Sequence, residues 1–283
     1  MLENSYLNRR TLLTRLAILP AAATGASIAA PAWAEAAASS AGLVSSNVCL
    51  VAPEVTEGPY YFDPDLDLLD RKDITEGLDG VKLEVKIQVV DSACNPIADA
   101  RVDIWHCDAE GNYSGYATQG SSGVKDTSNE TFLRGTQTTD VSGIVTFDTI
   151  YPGWYASRTT HIHYKVFLDE KTVLTSQIFF PDALSQYLFE NIRPYNNRAA
   201  SRDTLNVNDG IAQQAGEGAY AAIRERADMY SAGIVVGVDP NAISSDAMFG
   251  GGGGDRPMGG PPPEGDRPEA STSGDNKRMV PGN

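Results

Sequence analysis

The sequence predicts an all-β fold: a single β-sandwich domain over residues 48–244 with long active-site loops, followed by a low-complexity, disordered C-terminal tail at 245–283. Three observations carry this expectation. Short runs alternate apolar and polar side chains with period 2, as in Leu83-Glu84-Val85-Lys86-Ile87-Gln88-Val89-Val90. Clusters of Gly, Pro, Asn and Asp punctuate those runs, and with 27 Gly and 16 Pro the chain has little room for long helices. Only Asp182 to Ile192 reads as a short helix, broken by Pro194-Tyr195-Asn196-Asn197.

Taken in order, residues 1–34 read as an export signal. Asn8-Arg9-Arg10-Thr11-Leu12-Leu13 resembles a twin-arginine motif, an Ala-rich apolar run follows, and Ala32-Trp33-Ala34 places cleavage before Glu35. Pro20, Pro31 and the small residues around them argue against a membrane anchor, and no later segment is apolar enough to span a bilayer. The expected location is periplasmic or extracellular, with no stable membrane insertion after cleavage. A twin-arginine route carries folded proteins and suits one loaded with its cofactor before export.

Residues 35–47 are small and polar, a linker. Val55 to Phe62 gathers aromatics behind a Gly-Pro turn and is expected to be irregular. After the first strand, Asp91 to Pro96 forms a turn, and Ala100 to His106 alternates again. Residues 108–131 are polar and rich in Gly and Ser, a loop long enough to be functional. Strands are expected at Gly143 to Asp148, His161 to Leu168, Gln177 to Phe180 and Ala232 to Val238. No internal repeat is visible. From about Ser245, a Gly run, Pro261-Pro262-Pro263 and a polar mixture cannot bury a core.

Composition limits partners. The 41% hydrophobic content suffices for a sizeable core. The formal charge is −15, and removing residues 1–34, with three arginines against one glutamate, takes it to about −17. So acidic a surface repels phosphate backbones, which excludes nucleic acid. Three cysteines, Cys49, Cys94 and Cys107, follow the signal. A strand separates Cys94 from Cys107 by roughly 20 Å at ~3.3 Å per residue, beyond disulfide reach unless the chain folds back. Cys49–Cys94 is the favoured pair.

Chemistry concentrates between Ile150 and Tyr164. Two of the chain's three histidines, His161 and His163, stand one residue apart, so on a strand both imidazoles face one way and Ile162 the other. Upstream lie a Pro152-Gly153 turn carrying Trp154 and Tyr155, and a lone cation, Arg158. A tyrosine, a cation and two same-facing histidines suit a metal site with an anionic oxygen ligand, although H-x-H alone is weak evidence and is more often a pair of polar strand residues.

Four fragments then align with a family. D-I-W-H-C-D-A-E-G-N-Y-S-G-Y (103–116), P-G-W-Y (152–155), R-T-T-H-I-H (158–163) and S-Q-I-F-F (176–180) resemble the intradiol ring-cleavage dioxygenases, catechol- and protocatechuate-type enzymes that use non-haem Fe(III). The T-E-G-P-Y-Y opening (56–61) is shared with their secreted branch, and the similarity runs from about Cys49 to Asp239. The resemblance implies Fe(III) bound by Tyr113, Tyr155, His161 and His163. It implies that Tyr155 leaves the metal and accepts a proton when substrate binds, that Arg158 stabilises charge developing on the ring, and that Gln177 orients the substrate. The expected reaction cleaves catechol-type aromatic diols with O2 to cis,cis-muconate-type products.

Tyr116 is the rival of Tyr113 as ligand, and the G-x-Y position favours Tyr113. Tyr60, Tyr61 and Trp154 are candidate substrate-binding residues, although the first two would equally suit simple packing at the turn. His106 is expected outside the metal site, Trp105 in the core, and Arg134 paired with a loop carboxylate. Unlike the catechol-type branch, the chain leaves no room between the signal and Cys49 for a helical dimerisation domain, so oligomeric state and preferred diol stay open. Two other readings use the same residues: a non-catalytic exported β-sandwich binding carbohydrate or lignin-like aromatics, and a zinc hydrolase. Tyrosine is a poor zinc ligand, which disfavours the latter.

Overall fold

The alternation becomes two four-stranded sheets laid face to face. The computed structural model describes residues 51–62, 66–119, 123, 125–169, 171–198 and 200–245. The expected export signal and linker, Cys49, and the tail after Ser245 lie outside the described residues. A helical turn, α1 (Leu66–Leu69), precedes β1 (Lys82–Val90), β2 (Arg101–Trp105), β3 (Arg134–Thr138), β4 (Ile144–Ile150), β5 (His161–Leu168) and β6 (Lys171–Phe179). Two short helices, α2 (Asp182–Asn191) and α3 (Gly210–Ala215), lead to β7 (Ala222–Glu225) and β8 (Tyr230–Gly237). One sheet has the order β4-β1-β8-β7 and the other β3-β2-β5-β6. Among these strands only β1 and β8 pair in parallel.

Leu83, Val85, Ile87 and Val89 of β1 point inward, where they meet Val145 and Phe147 of β4 and Ile234 and Val236 of β8. Val102, Ile104, Ile162, Tyr164, Val166 and Ile178 close over them from the other sheet. Each such side chain contributes about 1.5–3 kcal/mol of burial energy, which fixes which residue of every pair faces the core. That choice sets the site. With Ile162 and Tyr164 turned into the sandwich, His161, His163 and Lys165 must face the other way. They are buried there too, because the segments around Thr56, Tyr113, Tyr155 and Asp209 fold over that outer face. Across it, Arg134, Trp105, His163 and Gln177 stand in one row.

Several elements differ from the expectation. The polar pentapeptide R-G-T-Q-T forms edge strand β3, where a side chain at Gly135 would put a Cβ 2.5 Å from Ile74. Edge strand β7 is half-exposed and also lacks alternation. Strand β6 begins at Lys171, six residues before the expected start, because Thr175 and Ser176 are buried and interrupt the apolar pattern. Ser176 donates to the Pro53 carbonyl at 2.9 Å, and Thr175 bonds Ser244 at 3.0 Å, satisfying both hydroxyls from distant segments. Cys94 is disulfide-bonded and Cys107 is buried and free, so the cysteines flanking β2 do not pair with each other.

Candidate metal centre

Two loops and one strand build the site. The Asp108 carboxylate accepts from the Glu110 amide at 2.9 Å and the Asn112 amide at 2.8 Å, shaping the turn that delivers Tyr113. The Pro152-Gly153 turn packs against it backbone to backbone. A Cβ on Gly153 would lie 2.3 Å from the Asp108 carbonyl oxygen, and one on Gly111 would lie 2.2 Å from that of Trp154. Only glycine permits this approach. It places the Tyr113 and Tyr155 hydroxyls 3.5 Å apart over the start of β5.

There the imidazoles join them. His161 Nε2 lies 3.1 Å from the Tyr155 hydroxyl, 3.3 Å from that of Tyr113 and 3.1 Å from His163 Nε2. His161 Nδ1 donates to the Thr159 carbonyl at 2.7 Å, leaving the Nε2 lone pair directed at the cluster. His163 is held by packing: Trp105 stacks on its ring at 4.8 Å and 11°, and its buried Nδ1 has no hydrogen-bond partner among the described residues. One lone pair cannot satisfy three polar neighbours at once. A cation bonded at about 2 Å to each donor would, since ligands of such a shell lie roughly 3 Å apart. The donor set fits a hard, highly charged metal ion. Half of it is tyrosine, and among the described residues no group of three or more His, Cys, Asp or Glu side chains could hold a metal.

Electrostatics agree. Burial, reinforced by Arg158, pushes the His161 imidazole down to about 3, and burial with His161 beside it pushes His163 well below its ordinary range. Burial likewise raises the Tyr113 and Tyr155 phenols. The imidazoles are therefore neutral and ready to ligate, while ionised phenols here need a compensating cation. Arg158 stands at the edge, Nη1 3.5 Å from His161 Nε2 and Nη2 donating to Gln177 Oε1. Gln177 Nε2 in turn donates to the Thr56 carbonyl at 2.9 Å.

A protein-family model described as Dioxygenase matches residues 56–194. The solved structure of an intradiol ring-cleavage dioxygenase from Tetranychus urticae is 34% identical, covers 70% of this chain and 98% of that one, and superposes with a TM-score of 0.63. The chain belongs to the intradiol ring-cleavage dioxygenase family. A second dioxygenase structure, 33% identical, has the same coverage and TM-score. The catechol 1,2-dioxygenase of Pseudomonas sp. (strain EST1001) is 39% identical over 64 residues, a match spanning 22% of this chain and 21% of that protein.

The structure brings together the residues expected as the family's ligands, Tyr113, Tyr155, His161 and His163, with Arg158 and Gln177 beside them. Tyr116 points elsewhere, its hydroxyl donating to the Tyr61 carbonyl at 3.1 Å. His106 is occupied between the Cys107 carbonyl and the Thr149 hydroxyl, each at 2.8 Å. Tyr60 stacks on Tyr113 at 4.5 Å and 18°, which puts it on the wall of the site.

Three expectations need correction. Tyr61 turns away from the donors: its hydroxyl donates to Asp103 at 3.0 Å and its ring packs behind Trp105, since neighbours on an extended segment face opposite ways. Trp154 lies in the main core, 5% exposed, with the Arg198 guanidinium 3.8 Å over its ring, and so offers no face to a ligand. Arg134 donates to the Ser114 hydroxyl and carbonyl at 2.9 and 2.8 Å, and among the described residues it pairs with no carboxylate. Trp105 is buried at 1% exposure, as expected of a core residue, and its ring also backs His163. Sequence reasoning misses Asp209 altogether. Its only sequence signal is that of a helix N-cap before an Ala-rich run, which says nothing of the partner it finds at Arg158.

Proposed function

We propose that this protein is a non-haem Fe(III) intradiol dioxygenase that opens catechol-type aromatic diols with O2 to cis,cis-muconate-type products. The observation that carries the proposal is the meeting of two phenols and two imidazoles from separate segments at 3.1–3.5 Å. Phenolates are hard anionic donors that favour trivalent iron. When bound, that ion would supply the Lewis acidity that holds both diol oxygens as a catecholate and makes the ring electron-rich toward dioxygen.

The protein's own groups divide the remaining work. Tyr113 is 1% exposed and pinned beneath Tyr60, which suits a permanent ligand. Tyr155 is half-buried on its turn, so its phenolate is the one free to swing aside and take a diol proton. Arg158 Nη1, already beside the donors, stabilises negative charge as it develops on the ring. Gln177 joins Arg158 to the 55–62 segment, and Tyr60 from that segment walls the ring.

An oxygen electrode on the purified protein tests the reading. Catechol, protocatechuate or hydroxyquinol should start oxygen uptake in a protein carrying about one iron per chain and a burgundy phenolate–iron colour. A colourless protein holding zinc, or one that binds these diols without consuming oxygen, overturns it. Export by the twin-arginine route belongs to the same proposal: residues 1–34 fused to a reporter should carry it out of the cytoplasm, and Arg9→Lys with Arg10→Lys should stop it.

A further inference from the structure

The loop between the Tyr155 turn and β5 carries Arg158 and is held by residues 203–209 on one side and by Gln177 of β6 on the other. Asp203 accepts from the Ser157 amide at 3.1 Å, and Asn206 accepts from the Thr159 hydroxyl at 2.8 Å. The closest hold is Asp209, 2% exposed, whose carboxylate is shared between two tasks. One oxygen accepts from the amides of Ile211 and Ala212 at 2.8 and 3.0 Å, capping α3. The other accepts from Arg158 Nε at 2.9 Å and from the Thr159 amide at 2.8 Å.

A guanidinium has five donors on a rigid plane, so fixing its Nε edge and one terminal nitrogen fixes the whole fork. Asp209 takes the Nε edge and Gln177 takes Nη2. What remains, Nη1, is aimed at His161 Nε2 from 3.5 Å. Burial alone would raise the Asp209 carboxyl, but Arg158 and the Thr159 and Ala212 amides hold it below the ordinary carboxylate range, so it stays ionised.

We infer that Asp209, through its bonds to Arg158 Nε and the Thr159 amide, is a positioning residue that locks the Arg158 guanidinium against the metal centre. The inference rests on the proposed reaction for its kinetic consequence, but its geometric content stands apart from it. Asp209→Asn is the discriminating variant. Asparagine is as good an N-cap as aspartate, so α3 keeps its cap, but an amide nitrogen cannot accept the Arg158 and Thr159 donors.

Hydrogen exchange of the full purified chain, read by mass spectrometry on the peptide containing Thr159, should speed up at least about tenfold in Asp209→Asn while melting and iron content stay near wild type. Oxygen-uptake kinetics should show kcat falling about 10–100-fold with KM little changed, the size typical of a displaced catalytic group. In an Arg158→Ala background the same substitution should cost no further kcat, because the group it positions is gone. If Asp209→Asn fails to fold, Asp209→Ser, which also caps but cannot reach Arg158, carries the same expectations. Unchanged exchange at Thr159, or an equal kcat loss with and without Arg158, overturns the inference. A wild-type protein inert toward every diol overturns the proposed function instead, and the exchange measurement still decides the positioning.

Discussion

In the sheet β4-β1-β8-β7, strand β1 buries Leu83, Val85 and Ile87 and leaves Glu84 and Lys86 partly exposed on the far side, paired with each other at 2.9 Å. In the sheet β3-β2-β5-β6, strand β5 is buried on both faces, although its outer face carries histidine and lysine. The two sheets share one apolar interior, so packing between them cannot explain the difference. What distinguishes them is the set of loops folded over one outer face and not the other. A strand that only scaffolds needs one covered face. A strand that carries chemistry needs a second, lined with polar groups whose partners come from elsewhere in the chain.

Substitutions on the two faces should therefore fail differently. The largest effect belongs to the site: His163→Ala or Tyr155→Phe should cut oxygen uptake by more than about a hundredfold and weaken or shift the colour, exceeding the 10–100-fold typical of outer partners of a metal. Urea unfolding should show the fold surviving. Ile87→Ala, in the centre of β1, should do the reverse, costing about 2–5 kcal/mol of stability by urea titration while iron content and KM of the folded fraction hold.

His106 joins the two sheets, bonding from the end of β2 to Thr149 of β4, and it sharpens the comparison through pH. Burial depresses its imidazole to about 4, so as pH falls the unfolded chain binds the proton first. Its contribution is complete above about pH 6.5 and is lost between there and about pH 4, roughly 3 kcal/mol in all. His106→Gln should flatten the slope of stability against pH in that window by about one proton, read from urea midpoints.

Gly58 is a smaller probe of the covering loops. Its φ is +71, and a methyl group added there would lie only 3.3 Å from His163 Cε1. Gly58→Ala should therefore weaken iron binding several-fold in a chelator competition, with stability lowered by about 1 kcal/mol. The smallest effect is expected at Val141, 88% exposed in the turn before β4, where Val141→Ala should stay within about 0.5 kcal/mol of wild type by thermal melting.

The fold was legible where polar and apolar side chains alternate. Leu83 to Val90, Gly143 to Asp148 and His161 to Leu168 announce themselves by alternation, and all three are strands close to those limits. Edge strand β3 buries Arg134, Gly135 and Thr136, none of which reads as an apolar core residue, edge strand β7 buries none of its four residues, and β6 hides behind buried hydroxyls that distant segments satisfy. Within the site, the H-x-H pair was legible for the same local reason. Among aromatic residues the sequence could not separate Trp105 from Trp154: the former backs His163 and the latter lies under Arg198.

By itself, then, the sequence determined what a two-residue period can encode: the strands whose side chains alternate, that His161 and His163 share a face, and that Ile162 opposes them. Tertiary structure alone decided that Tyr113 meets Tyr155 and His161 across 42 and 48 residues, and that Asp209 reaches Arg158 across 51. Those meetings depend on how loops close over a sheet, and loop closure is governed by backbone turns and by contacts between segments that share no periodicity.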